Sequence, residues 1–84
     1  MWVAKIVVTY KEGILDPEAK TIQHTLETLG YKNIKELETG KYFEIKLQSN
    51  IERSEVEKLI REICDRILSN PVIQKYSYEI EEAE

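Results

Sequence analysis

The sequence predicts an α+β fold with the element order β-α-β-β-α-β, in which two helices lie on one face of a four-stranded antiparallel sheet, the ferredoxin-like arrangement. Two segments show the apolar spacing of amphipathic helices, and the segments around them show the alternation of strands. Few glycines and prolines interrupt these patterns, with 3 Gly and 2 Pro in 84 residues. This length supports one hydrophobic core, so we expect a single domain over residues 1–84.

Residues 2–10 predict the first strand, because their side chains alternate between two faces. We expect one set to meet the helices and the other to lie on the outer face of the sheet. The inner set is Trp2, Ala4, Ile6, Val8 and Tyr10, and the outer set is Val3, Lys5, Val7 and Thr9.

Asp16 and Pro17 predict the start of the first helix, since Asp is a favoured N-cap and Pro suits the first helical position. Gly30 predicts its end, where a left-handed backbone conformation is common. Between them, apolar residues recur every three or four positions and form one stripe: Ala19, Ile22, Leu26 and Leu29.

A hairpin is predicted over residues 34–48, with a short strand at 34–38 and a turn at Thr39-Gly40. The second strand of the hairpin alternates clearly, with Phe43 and Ile45 on its inner face. We expect this hairpin to provide the second and third strands of the sheet.

The second helix is predicted to follow a capping box formed by Ser49 and Glu52, or a cap at Asn50, and to stop before Asn70-Pro71. Val72 is expected to begin the last strand. The acidic residues 81–84 are expected to fray at the end of the chain.

Composition argues against several classes of function. The chain has 12 basic and 16 acidic residues, a net charge of −4, so it lacks the basic surface of a nucleic-acid-binding protein. No apolar run is long enough to span a membrane, and the first residues do not resemble a signal peptide. A single Cys fits a reducing compartment, so we expect a cytoplasmic protein.

No catalytic or metal site is predicted. His24 is the only His and lies off the apolar stripe of its helix, whereas Cys64 lies within the stripe of the second helix and is expected to be a buried structural thiol. No glycine-rich phosphate-binding sequence is present.

The outer face of the predicted sheet is more apolar than a solvated face requires, which predicts an interface. Its candidate residues are Val3, Val7, Thr9 and Tyr42. The alternative is a monomer that tolerates scattered exposed apolar residues.

Four segments resemble the PurS family, the small subunits of phosphoribosylformylglycinamidine synthase in purine biosynthesis. They are Lys-Glu-Gly-Ile-Leu-Asp-Pro at 11–17, Leu-Gly-Tyr at 29–31, Gly-Lys-Tyr at 40–42 and Ser-Asn-Pro-Val-Ile at 69–73. The likeness extends from residue 3 to residue 82.

This resemblance implies a non-catalytic subunit that forms a dimer or tetramer. It would join a large synthetase subunit to a glutaminase subunit and support ammonia transfer between them. ATP, Mg²⁺ and glutamine would be used by those partners, and this chain would need no cofactor. The alternative is a stand-alone oligomeric regulatory module that binds a small ligand between paired domains.

The resemblance also implies contacts with the other subunits. The candidates are Lys11, Glu12, Asp16, Pro17, Gly40, Lys41, Asn70 and Pro71. Helix capping, turn geometry and helix termination provide local explanations for most of them. Lys11, Glu12 and Lys41 have no such local role and are the stronger candidates.

Overall fold

A computed structural model describes residues 1–83 and shows one antiparallel sheet with the strand order β2-β1-β3. The strands are β1 (Trp2–Tyr10), β2 (Gly40–Leu47) and β3 (Gln74–Glu82). Helix α1 (Pro17–Thr28) connects β1 to β2, and helix α2 (Arg53–Ile63), extended by a π-helical turn at Cys64–Leu68, connects β2 to β3. The α+β class is confirmed.

The prediction of a fourth strand is wrong, because residues 34–38 adopt no strand conformation. The two half-buried residues of this segment are Ile34 and Leu37. They are three positions apart, whereas residues on one face of a strand are an even number of positions apart. The sheet of the described chain has three strands, and both β2 and β3 lie at its edges.

The core lies between the inner face of the sheet and α2. In the register of the sheet, Ile6 lies opposite Phe43 on one side and Tyr78 on the other, as the alternation predicts. The indole N–H of Trp2 donates to the carbonyl of Ile51 at 2.9 Å and ties β1 to the segment before α2. The largest fully buried side chains are Ile6, Val8, Val56, Ile60 and Cys64.

Helix α2 differs from the prediction at both ends. It begins at Arg53 after Glu52, which makes no side-chain cap, so the predicted Ser49 and Asn50 caps are both wrong. At the other end, the amide and hydroxyl of Ser69 both donate to the carbonyl of Cys64, at 3.0 and 2.8 Å. This pairing spans five residues and closes the π-helical turn.

Cys64 is buried in the core, which confirms its predicted place on the apolar stripe of the second helix. Desolvation, assisted by the nearby charge of Asp65, raises the pKa of the Cys64 thiol. The thiol is therefore protonated at neutral pH and is not a nucleophile.

The predicted frayed tail is wrong for residues 81 and 82, which belong to β3 and pair with the start of β1. The pairing continues past β3, where the amide of Ala83 donates to the carbonyl of Met1 at 2.7 Å. Glu84 lies outside the described residues. Val72, predicted to begin the last strand, lies in the turn before it.

Helix α1 has the predicted ends. Asp16 is its N-cap, Pro17 opens it, and Gly30 has φ of +98°. The amide of Gly30 donates to Glu27 and that of Tyr31 donates to the carbonyl of Leu26, both at 3.0 Å, which is the Schellman arrangement.

The position of α1 contradicts the prediction that both helices cover one face of the sheet. Ala19 is the only buried residue of α1, and no residue of the helix belongs to the core cluster. The radius of gyration is 16.6 Å, whereas a compact domain of this length has a value of about 12 Å. Helix α1 therefore stands away from the sheet.

The longest dimension of the described structure agrees with a position of α1 beyond the end of the sheet. Its long axis is 52 Å. A strand of nine residues spans about 30 Å and a helix of twelve residues spans about 18 Å. An end-to-end arrangement of the sheet and α1 accounts for this length.

Neither helix among the described residues is long and apolar enough to cross a membrane.

Candidate subunit-contact site

The eight predicted contact residues lie at one end of the sheet. Because β1 is antiparallel to both neighbours, its last residues meet the first residues of β2 and β3, with Thr9 opposite Gly40 and Tyr10 opposite Gln74. The amide of Lys11 donates to the carbonyl of Ile73 at 2.9 Å and extends this pairing. We call this region, residues 10–17, 36–41 and 70–74, the loop end.

Asp16 connects the start of α1 to the start of β2. One carboxylate oxygen accepts the amide of Ala19 at 3.0 Å, and the other accepts the hydroxyl and amide of Thr39 at 2.7 and 3.2 Å. The bond from Ala19 lowers the pKa of the Asp16 carboxyl most, and those from Thr39 lower it further, against the opposing effect of desolvation. Asp16 therefore has a tertiary role as well as the predicted capping role.

The sequence pattern does not indicate this role of Thr39. The pattern predicts only a hairpin turn at Thr39, and the hydrogen bond to Asp16 joins positions 23 residues apart. The only local signal for such a partner is the helix cap itself. Capping uses one carboxylate oxygen of Asp16 and leaves the other oxygen free to accept a second donor.

The Asp16 contacts predict a pH dependence of stability. The folded-state pKa of Asp16 lies below its ordinary value of 3.8. Its stabilising contribution is therefore complete above about pH 4 and is lost as the pH falls through the folded-state pKa. In Asp16→Asn this contribution should be absent. We expect the difference in melting temperature between wild type and Asp16→Asn, followed by circular dichroism, to shrink from pH 6 to pH 2.

Glu18→Gln provides the matched control, since Glu18 lies in the same helical turn and is exposed. A melting-temperature difference for Asp16→Asn that stays constant from pH 6 to pH 2 would show that the bonds to Ala19 and Thr39 do not depend on the charge of Asp16.

A groove of about 520 Å³ opens at the loop end, between the segment after β1 and the segment before β2. Lys11 is its only basic residue among four carboxylates, Glu12, Asp16, Glu36 and Glu38. A negative lining of this kind repels phosphate and carboxylate ligands. The groove therefore suits a basic or neutral protein surface better than a nucleotide.

Asn70 stabilises the turn before β3. Its side-chain oxygen accepts the amide of Val72 at 3.1 Å, and its carbonyl accepts the amide of Gln74 at 2.7 Å. These bonds within the turn explain why asparagine stands at position 70. Val72, which the sequence prediction placed in a strand, is instead 77% exposed beside Pro71 and adds an apolar group to the loop end.

Lys11, Glu12 and Lys41 are all exposed. Within residues 1–83, none of their side chains takes part in a hydrogen bond or an ion pair. They are therefore available for intermolecular contacts, whereas the geometry of Asp16, Gly40 and Asn70 serves the fold.

The outer face of the sheet is more polar than predicted. Lys5 Nζ lies 3.3 Å from a carboxylate oxygen of Glu81, and Val3 is only 7% exposed, so Val3 offers little surface to a partner. Val7 and Tyr42 lie opposite each other in the sheet and are 42% and 58% exposed. Thr9 is half-buried, so the exposed part of the predicted interface is the Val7–Tyr42 pair.

The two side chains best suited to nucleophilic catalysis are separated by the fold. His24 is exposed on α1, whereas Cys64 is buried in the core at the end of α2. Among residues 1–83, no three His, Cys, Asp or Glu side chains are grouped as metal ligands. The described part of the loop end consists of exposed charges and hydrogen-bonded turns.

Comparison with known proteins identifies the same fold and family. The family model of PurS, described as phosphoribosylformylglycinamidine (FGAM) synthase, matches residues 3–82. The PurS subunit of Archaeoglobus fulgidus is 41% identical over 89% of this chain and 92% of its own length. The Bacillus subtilis subunit is 34% identical over 98% and 95%.

Solved structures agree with the sequence match. The crystal structure of PurS from Methanocaldococcus jannaschii is 37% identical, covers the whole of both chains and has a TM-score of 0.87. A PurS structure from Bacillus subtilis, 35% identical, covers 98% of this chain and all of its own with a TM-score of 0.85. On this full-length agreement of sequence and fold, the chain belongs to the PurS family of phosphoribosylformylglycinamidine synthase subunits.

Proposed function

We propose that this chain is a non-catalytic adaptor subunit of phosphoribosylformylglycinamidine synthase in purine biosynthesis. The observation that carries the proposal is the full-length match to M. jannaschii PurS, which is described as one of the subunits of formylglycinamide ribonucleotide amidotransferase. In this role the chain joins a large synthetase subunit to a glutaminase subunit and supports ammonia transfer between them.

The chemistry of an amidotransferase explains why an adaptor is useful. Ammonia released by glutamine hydrolysis is protonated or lost when it enters solvent, and the protonated form is not a nucleophile. An adaptor that fixes two active sites in register replaces a bimolecular encounter with a local transfer. This task requires binding surfaces, and the exposed Lys11, Glu12 and Lys41 at the loop end provide charged groups for one.

The synthetase and glutaminase subunits would supply the ATP, Mg²⁺ and glutamine sites, and the complex would be cytoplasmic. The absence of a phosphate-binding loop from the sequence supports this division. Its three glycines, Gly13, Gly30 and Gly40, lie in separate turns or at a strand start and do not form a cradle.

Reconstitution from purified subunits tests the proposal. We expect glutamine-dependent synthesis to require this chain, and synthesis from added ammonium salt to be much less dependent on it. Lys11→Glu/Lys41→Glu should weaken reconstitution, whereas Lys58→Glu, an exposed site on α2, should not. Full glutamine-dependent activity without this chain would contradict the adaptor function. Tight binding of a metabolite with no binding of either subunit would favour a regulatory module.

We also propose that the chain self-associates as a dimer or tetramer. The exposed Val7–Tyr42 pair on the outer face of the sheet supports one interface. At a two-fold axis, residues of this pair from two copies would lie close together.

Val7→Lys should weaken that interface, because like charges brought together at an interface cost on the order of several kcal/mol. The core lies on the opposite face of the sheet, so the protomer should keep its circular dichroism spectrum. Sedimentation velocity should show a smaller species than wild type. Gln48→Lys, which adds the same charge at an exposed site beyond β2, should have the mass of wild type. An unchanged mass for Val7→Lys would exclude the outer face as an interface.

A further inference from the structure

The groove at the loop end has two walls, residues 10–16 and residues 36–39. The second wall is held firmly by the sheet, because Gly40 pairs with Thr9 in the strand that follows it. A Cβ placed on Gly40 would lie 2.6 Å from the carbonyl oxygen of Val8, so this residue is packed closely against β1. Thr39, its covalent neighbour, is therefore fixed in position at the end of the sheet.

The first wall is attached more loosely. The amide of Lys11 still pairs with Ile73, but the chain then turns at Gly13, which has φ of +80°. Apart from its chain neighbours, no atom lies within 4 Å of the place where a Cβ of Gly13 would be. A glycine in open surroundings changes its backbone angles at little cost. The segment from Glu12 to Asp16 therefore needs a second attachment to hold its position.

Helix α1 needs the same attachment. Within residues 1–83, no hydrogen bond and no ion pair joins residues 17–38 to the sheet or to α2. No residue of α1 belongs to the core cluster. The orientation of the helix therefore depends on the contacts at its base.

The hydrogen bonds from Thr39 to Asp16 connect the fixed wall to the loose one. The hydroxyl and the amide of Thr39 donate to one carboxylate oxygen, at 2.7 and 3.2 Å, while the other oxygen caps α1 through the amide of Ala19. Hydrogen bonds to a charged group are stronger than those between neutral groups. We call the contact between Thr39 and Asp16 the clasp.

We propose that Thr39 is a positioning residue for the adaptor function, and that the clasp holds α1 and residues 12–16 in the orientation that the other subunits bind. Thr39 acts through Asp16 in this role and does not itself need to contact a partner. A surface that is already ordered binds more tightly, because less conformational freedom is lost on association. The inference rests on the proposed function and names the contact that sets the geometry of its binding surface.

Three substitutions distinguish the clasp from the helix cap and from general stability. Thr39→Val removes the hydroxyl, keeps the shape of the side chain and leaves Asp16 able to cap α1 through Ala19. Thr39→Ser keeps the hydroxyl and should behave as wild type. Leu59→Ala shortens a partly exposed side chain on α2, outside the clasp, and controls for a loss of stability. All are compared at a temperature at which circular dichroism shows them to be folded.

Distances between two nitroxide labels test the position of α1. Glu27→Cys on α1 and Lys58→Cys on α2 provide exposed labelling sites, whereas Cys64 is buried and should stay unlabelled. The doubly labelled chain is diluted with unlabelled wild type, so that each assembly contains one labelled chain. We expect pulsed EPR to give a broader distance distribution for Thr39→Val than for wild type, Thr39→Ser or Leu59→Ala. Equal widths for Thr39→Val and Thr39→Ser would overturn the inference.

Reconstitution with the synthetase and glutaminase subunits tests the consequence for binding. We expect Thr39→Val to raise the apparent dissociation constant of the chain about tenfold, the effect of losing one hydrogen bond to a charged group. Thr39→Ser and Leu59→Ala should change it by less than about threefold. At saturating concentrations of Thr39→Val, glutamine-dependent activity should recover.

Two outcomes separate this inference from the proposed function. A wild type that binds both subunits, with Thr39→Val binding equally well, would overturn the role of Thr39 and leave the adaptor function standing. A wild type that binds neither subunit would contradict the adaptor function and, with it, the role of Thr39 in binding.

Discussion

Ile60→Ala should lower the free energy of unfolding by about 2–5 kcal/mol, the range for removing a large aliphatic side chain from a well-packed core. Ile60 is completely buried between α2 and the sheet. Since small domains are stable by only about 5–15 kcal/mol, the variant should be close to unfolding at moderate temperature. The measurement is urea denaturation at a protein concentration that is the same for all variants.

Leu59→Ala is the matched control on the same helix, because Leu59 is 38% exposed. We expect it to cost less than half as much as Ile60→Ala. Equal losses of stability in the two variants would show that α2 does not present the face toward the sheet that its apolar spacing indicates.

Gly40→Ala should lower the free energy of unfolding by about 1–3 kcal/mol, the cost of forcing extra volume into a packed site. An added Cβ would lie 2.6 Å from the carbonyl oxygen of Val8 and 3.0 Å from a side-chain carbon of Thr9. The first contact is with backbone of the central strand, which cannot move without disturbing its pairing with β2. Thermal and urea denaturation would measure the loss.

Lys41→Ala, one residue further along the same strand, is exposed and should change stability by less than about 0.5 kcal/mol. Gly40→Ala should also reduce reconstitution of the synthase, because Gly40 lies at the loop end beside Thr39 and Lys41. If Gly40→Ala is as stable as wild type, the contact with the Val8 carbonyl is not the reason for glycine at this position. A contact with another subunit would then explain the glycine.

The local features of the fold could be predicted from the sequence. Alternation placed Ile6 and Phe43 on the inner face, and the structure pairs them in the sheet. The two ends of α1 follow from Asp16 and Gly30, because capping and a left-handed backbone depend on residues within a few positions. The contact residues were proposed from family resemblance, and antiparallel pairing then brought them to one end of the sheet.

The position of α1 and the number of strands were decided only by the tertiary structure. An apolar stripe indicates that a helix is covered, but its spacing does not indicate whether the cover belongs to the same chain or to another. Similarly, Val3 alternates as an outer residue yet is buried in the folded chain, where it lies opposite Lys46 and Glu81 in the sheet. The hydrogen bond from the Thr39 hydroxyl to Asp16 also joins residues that are far apart in the chain. These features depend on contacts between residues distant in the chain, which periodicity and capping, being local, do not determine.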